Sequence, residues 1–104
     1  MDYKSYDLIS ETNSELENEI AFCIASARAS GAVLVKFVFG GDGERLIGTA
    51  QKILRALKRA KRVEFFELSD NLKTDTTEAR FFRNKYTEFA ESCSSEHMAI
   101  VVKI

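Results

Sequence analysis

The sequence predicts one α/β domain, a two-layer sandwich of helices on a four-stranded sheet in the order β-α-β-α-β-α-β, and three observations carry the prediction. The runs "VLVKFVF" from Val33, "VEFFEL" from Val63 and "MAIVVKI" from Met98 are largely apolar and rich in β-branched and aromatic residues, as buried strands are. Between them, apolar residues recur three and four apart, the mark of amphipathic helices. Neither a proline nor a Gly/Ser linker nor a repeat marks a boundary in the 104 residues, so a single domain spans 1–104.

Taken in order, Tyr6 to Ile9 is a short strand. Thr12 with Glu15 makes a T-x-x-E capping box, overlapped by Ser14 with Glu17, and opens the first helix. Leu16, Ile20, Cys23, Ile24 and Ala27 lie on one face of it, and Gly31 supplies the left-handed stop. The run Val33 to Phe39 reads as a strand covered on both faces and central in the sheet. After "GGDGE", a second helix shows Leu46, Ile47, Ala50, Ile53, Leu54 and Leu57 on one side. Val63 to Leu68 is the third strand, and "SDNLKTD" a polar turn. A third helix, opened by Asp75 with Glu78, carries Phe82, Tyr86, Phe89 and Cys93, and Met98 to Ile104 forms the fourth strand.

Apolar residues make up 45% and charged residues 30%, a globular balance without a run long enough to span a bilayer, so no membrane partner is expected. The start lacks an apolar segment behind basic residues, and Cys23 and Cys93 fall on apolar helix faces rather than in close pairs. A reducing cytoplasm is the expected setting. With a net charge of −1, attraction to nucleic acid requires a local patch.

Such a patch exists. From Lys52 to Arg62 the chain carries Lys52, Arg55, Lys58, Arg59, Lys61 and Arg62 and no acidic residue, enough to neutralise several phosphates. Cations near a helix C-terminus also serve the helix itself by complementing its dipole. The loop "FGGDGE", with Gly40, Gly41 and Gly43, lies between a buried strand and a helix N-terminus, where backbone amides can hold a phosphate. It is neither a Walker loop nor a full dinucleotide fingerprint, and it equally suits a tight strand-to-helix turn. Asp42 and Glu44 would repel an anion or offer oxygen ligands to a hard cation. Phe81 and Phe82 are adjacent and cannot share one direction, so one is a candidate partner-binding residue. His97 stands alone, without a nucleophile motif or a cysteine pair, and is expected in a loop; neither metal nor cofactor is expected.

Asp7-Leu8-Ile9-Ser10, the Thr12 and Glu15 helix opening, Gly31, and the strand ending in Phe39-Gly40-Gly41-Asp42-Gly43 together resemble the Smr (small MutS-related) domain family. That family begins with an Asp-Leu-His-Gly strand and ends its second strand in a His-Gly-Lys-Gly or Thr-Gly-Arg-Gly loop. The last strand is similar too, and the resemblance leaves out only about residues 69–95, an extra helical insertion. It implies an Smr-like mixed sheet, although a helical connection between the last two strands would favour a parallel pair where the family has a short turn.

Only Asp7 and Gly40 carry over from the two motifs. Ile9 stands where the family's first histidine would be, Ser10 where its glycine would be, and Phe39 or Gly41 where the loop's histidine or basic residue would be. The resemblance therefore implies a scaffold without its general acid/base, with Asp7 the remaining weak catalytic candidate. The leading expectation is a non-catalytic or weakly active domain that contacts RNA or DNA phosphates through Gly40, Gly41, Gly43, Lys52, Arg55, Lys58, Arg59 and Arg62. The alternatives are a protein-interaction or homodimerisation module using Phe81 and Phe82 of the third helix, and a metal-dependent nuclease built on Asp7, Asp42 and Glu44.

Overall fold

The computed structural model of the chain describes residues 3–8, 12–39, 43–73, 75–94 and 99–104. Its elements run β1 (Tyr3–Leu8), α1 (Asn13–Ala29), β2 (Leu34–Phe39), α2 (Gly43–Arg59), β3 (Phe65–Leu68), a 3₁₀ turn (Ser69–Lys73), α3 (Thr77–Lys85), α4 (Thr87–Ser94) and β4 (Ala99–Lys103). The four strands form one mixed sheet in the order β1-β2-β4-β3. β1 and β2 pair in parallel, while β4 is antiparallel to both its neighbours. β2 is central, as its apolar sequence requires: Leu34, Val35, Lys36, Phe37 and Phe39 are all buried.

Alternation along the strands sorts the core into two clusters. Val35, Phe37 and Phe39 of β2 and Ile100 and Val102 of β4 meet Leu16, Ile20 and Ile24 of α1 and Leu46, Ala50 and Leu54 of α2. These two helices and the sheet make the α/β sandwich. Leu34 and Val101 face the other way and are covered by Leu72 of the 3₁₀ turn, Phe82 and Tyr86, and Phe89 and Ala90 of α4. The segment read as an insertion thus lies on the far face of the sheet.

The first helix begins and ends as its sequence dictates. The Thr12 hydroxyl accepts from the Glu15 amide at 3.2 Å, and the Glu15 carboxylate accepts from the Thr12 amide at 3.3 Å. At its other end the Ala32 amide donates to the Ala27 carbonyl across Gly31, whose φ of +85° suits glycine. α2 closes with the same bond pattern, the Arg62 amide donating to the Leu57 carbonyl, but Lys61 takes the left-handed position with φ of 61°. A side chain there is strained by contact between its Cβ and the following carbonyl. Lys61→Gly is accordingly expected to raise stability by roughly 0.5–1 kcal/mol, read as a higher urea midpoint at unchanged slope.

Two expectations are corrected, and the pairing of the last two strands, left open by the sequence, is decided. The single third helix is two, because Tyr86 leaves the helical region at φ −123° and ψ 54°. The aromatic stripe runs through the break, so Phe82, Tyr86 and Phe89 stay in one cluster. The cap of α3 is Thr76, whose hydroxyl accepts from the Ala79 amide at 3.2 Å, and Asp75 instead lies 3.9 Å from Arg83. The parallel pairing that a helical connection favours between the last two strands is not adopted. β3 and β4 are antiparallel, with Leu68 opposite Ile100, so the connecting helices leave and return at the same end of the sheet.

Candidate nucleic-acid interface

α2 buries Leu46, Ala50 and Leu54 and turns the opposite side to solvent. Arg45, Lys52, Arg55 and Arg59 are exposed and follow one another at spacings of seven, three and four, which sets them in one row on the outer side of the helix. The first and the last are fourteen positions apart, about 21 Å at the helical rise. From Arg45 to Arg62 no acidic residue interrupts the row. Among the described residues, Lys52, Arg55 and Arg59 make no ion pair.

The other basic residues are placed differently. Lys58 sits on the flank, 3.9 Å from Glu78 of α3. Lys61 and Arg62 follow the helix and are exposed. Arg28, at the end of α1, joins them: its guanidinium donates to the Arg62 carbonyl at 2.7 Å. Sequence reasoning missed Arg28, which only the packing of α1 beside α2 brings in. It also missed Arg45, although its place seven residues before Lys52 was a usable signal.

Asp7 is exposed near the end of β1, and because Tyr6 and Leu8 face the α1/α2 cluster, Asp7 points to the other side of the sheet. The sheet therefore separates this carboxylate from the basic row. Gly40, Gly41 and Asp42 lie outside the described residues, as do Ile9, Ser10 and His97. Gly43 opens α2, and Leu8 pairs beside Phe39, so the first two strands and the basic helix adjoin at one end of the sheet. Among the described residues no group of three His, Cys, Asp or Glu side chains is arranged to hold a metal ion. Cys23 is a buried free thiol, its pKa raised by burial and next by the Glu19 charge.

The adjacent phenylalanines divide. Phe82 is in the far-face cluster, its ring stacked 5.0 Å from Phe65, whereas Phe81 is 65% exposed. Phe22 on α1 is more exposed still, at 71%. Phe81 forms one lip of a pocket of about 490 Å³ between α3 and the β3 edge, with Phe65, Phe82 and Tyr86 as further rings and Glu64, Glu78 and Lys85 on its walls. Lys85 holds its ammonium over the Phe81 and Tyr86 rings, 5.7 and 5.5 Å from their centroids.

At the same pocket the Lys103 ammonium lies 2.5 Å from Glu64, and this hydrogen bond, then its charge, holds the Glu64 carboxyl below the ordinary carboxylate range. A depressed folded-state pKa contributes stability above the unfolded value and loses it as pH falls through the folded value. Lys103→Met is expected to return the Glu64 titration upward toward the ordinary range, followed by side-chain carboxyl chemical shifts in NMR. An unchanged midpoint would show that Lys103 does not set it.

No protein-family model, curated protein or solved structure matches the chain.

Proposed function

We propose that this chain is an Smr-like domain, non-catalytic or weakly active, that binds RNA or DNA through phosphate contacts along α2. The observation that carries the reading is the row of Arg45, Lys52, Arg55 and Arg59, exposed together on one side of a helix with no acidic residue among them. The antiparallel β3–β4 pair supports the resemblance, since it is the pairing a short turn would make, with the α3–α4 segment inserted at that turn. Ile9 in place of the histidine, and an Asp7 that faces away from the basic row, support binding without efficient cleavage. Phosphate contacts give affinity and position but do not read bases.

The test is fluorescence anisotropy with a hairpin RNA and a duplex DNA over a salt series. If the four cations of the row each neutralise a phosphate, the logarithm of affinity falls against that of salt with a slope of roughly −3 to −4. Binding indifferent to salt, or none at low salt, would overturn the reading. A second reading, a protein-contact surface on α3, is favoured by the exposure of Phe81. Self-association that persists in high salt and disappears in Phe81→Ala would replace the first reading with the second.

A further inference from the structure

We infer that the pocket beside α3 receives one unpaired base of a single-stranded or looped nucleic acid whose backbone lies on α2, an inference that rests on the reading above and deepens it. The pocket and the basic helix are joined: Glu78 on the pocket wall is the residue that Lys58 of α2 approaches at 3.9 Å. A strand following the helix toward its C-terminal end therefore arrives at the pocket mouth.

The interior suits a base. Four rings, Phe65, Phe81, Phe82 and Tyr86, line about 490 Å³, a volume within the range of small-molecule sites. An aromatic face accepts any base by stacking. Glu64 and Glu78 are acceptors on the wall, of the kind that take a hydrogen bond from an exocyclic amino group. Lys85 supplies the charge beside the rings. It rests over the Phe81 and Tyr86 rings and acts on the Glu64 charge, and an arriving phosphate can draw its ammonium aside and free the exposed Phe81 face for stacking.

A flat ring with an anion attached matches this combination. Because Lys85 also acts on the Glu64 charge, the polar wall offers both a cation and an acceptor to the phosphate and the edge of a nucleotide. A base inside a duplex is stacked on both faces and cannot enter, so the site distinguishes unpaired from paired nucleotides.

The experiment uses the whole chain with two oligonucleotides of equal length carrying 2-aminopurine, one single-stranded and one with the probe base paired in a duplex. Binding is expected to quench the probe in the single strand and not in the duplex. Phe81→Ala is expected to abolish the quenching and weaken single-strand binding roughly tenfold, with duplex affinity and both salt slopes unchanged. Phe81 is mostly exposed, so this variant is expected to fold, verified by a melting temperature within about 4 °C of the parent's. Salt-dependent binding without ring-dependent quenching would overturn the pocket assignment and leave the α2 reading standing. No binding to either oligonucleotide at low salt would overturn both. Self-association at high salt that Phe81→Ala removes, without quenching, would assign the pocket to a protein contact and overturn the base site.

Discussion

Lys52→Glu combined with Arg55→Glu is expected to weaken nucleic-acid binding on the order of a hundredfold at about 0.1 M salt and to reduce the salt slope by about two. Both side chains are exposed in the middle of the basic row on α2, so each reversal removes a cation facing a phosphate and adds a repelling charge. A charge-assisted hydrogen bond is worth about 1.5–3 kcal/mol, and two such losses account for an effect of this size. These positions isolate the effect better than the final turn of the helix does. Lys58 is near Glu78, and Arg59 lies where a cation also stabilises the helix dipole. Reversing those would mix folding with binding. An unchanged affinity in the double variant would move the interface off α2.

Phe37→Ala is expected to cost about 3–5 kcal/mol of folding stability, seen as a lower urea midpoint and a melting temperature reduced by roughly 15 °C or more. Phe37 is fully buried in the central strand, and its ring centroid lies 6.1 Å from that of Tyr6. Helices α1 and α2 close over this cluster, so the void left by the ring has little room to collapse. A domain of this size has about 5–15 kcal/mol in total, and the variant would lose a large part of it. The contrast is Phe81→Ala, where the lost ring is mostly in water and the change is expected to stay within about 0.5 kcal/mol. Equal effects at the two positions would contradict the burial of one and the exposure of the other.

The features legible in the sequence were those fixed by local chemistry. The Thr12 and Glu15 box, the Gly31 stop and the apolar faces of α1 and α2 rest on contacts between residues a few positions apart, and all are present. The illegible features depend on distant contacts or leave the local pattern intact. The break at Tyr86 keeps Phe82, Tyr86 and Phe89 in one cluster, so the spacing does not register it. Which of Phe81 and Phe82 is buried follows from the position of Phe65 on β3. The antiparallel last pair follows from where the α3–α4 path returns, which no residue between Ser69 and Ser95 encodes alone.

For the candidate site, the basic helix was legible as composition, while its division into an outer row and a flank needed the buried face as reference. That Asp7 and the row lie on opposite sides of the sheet could be read only once Tyr6 and Leu8 were known to face α1 and α2. Arg28 and the aromatic pocket arise from elements far apart in the chain and had no local signal.

The place of β4 between β2 and β3 has a consequence for synthesis on the ribosome. Until Ala99–Lys103 emerges, β3 has no neighbour to bond with and β2 has an open side, although α1 and α2 are already made. The β1-α1-β2 unit can dock early because its pieces are contiguous. Closure of both core clusters waits for Ile100, Val101 and Val102. Chains truncated before residue 99 should therefore be cut readily by protease, with resistance appearing in one step when the fourth strand is included.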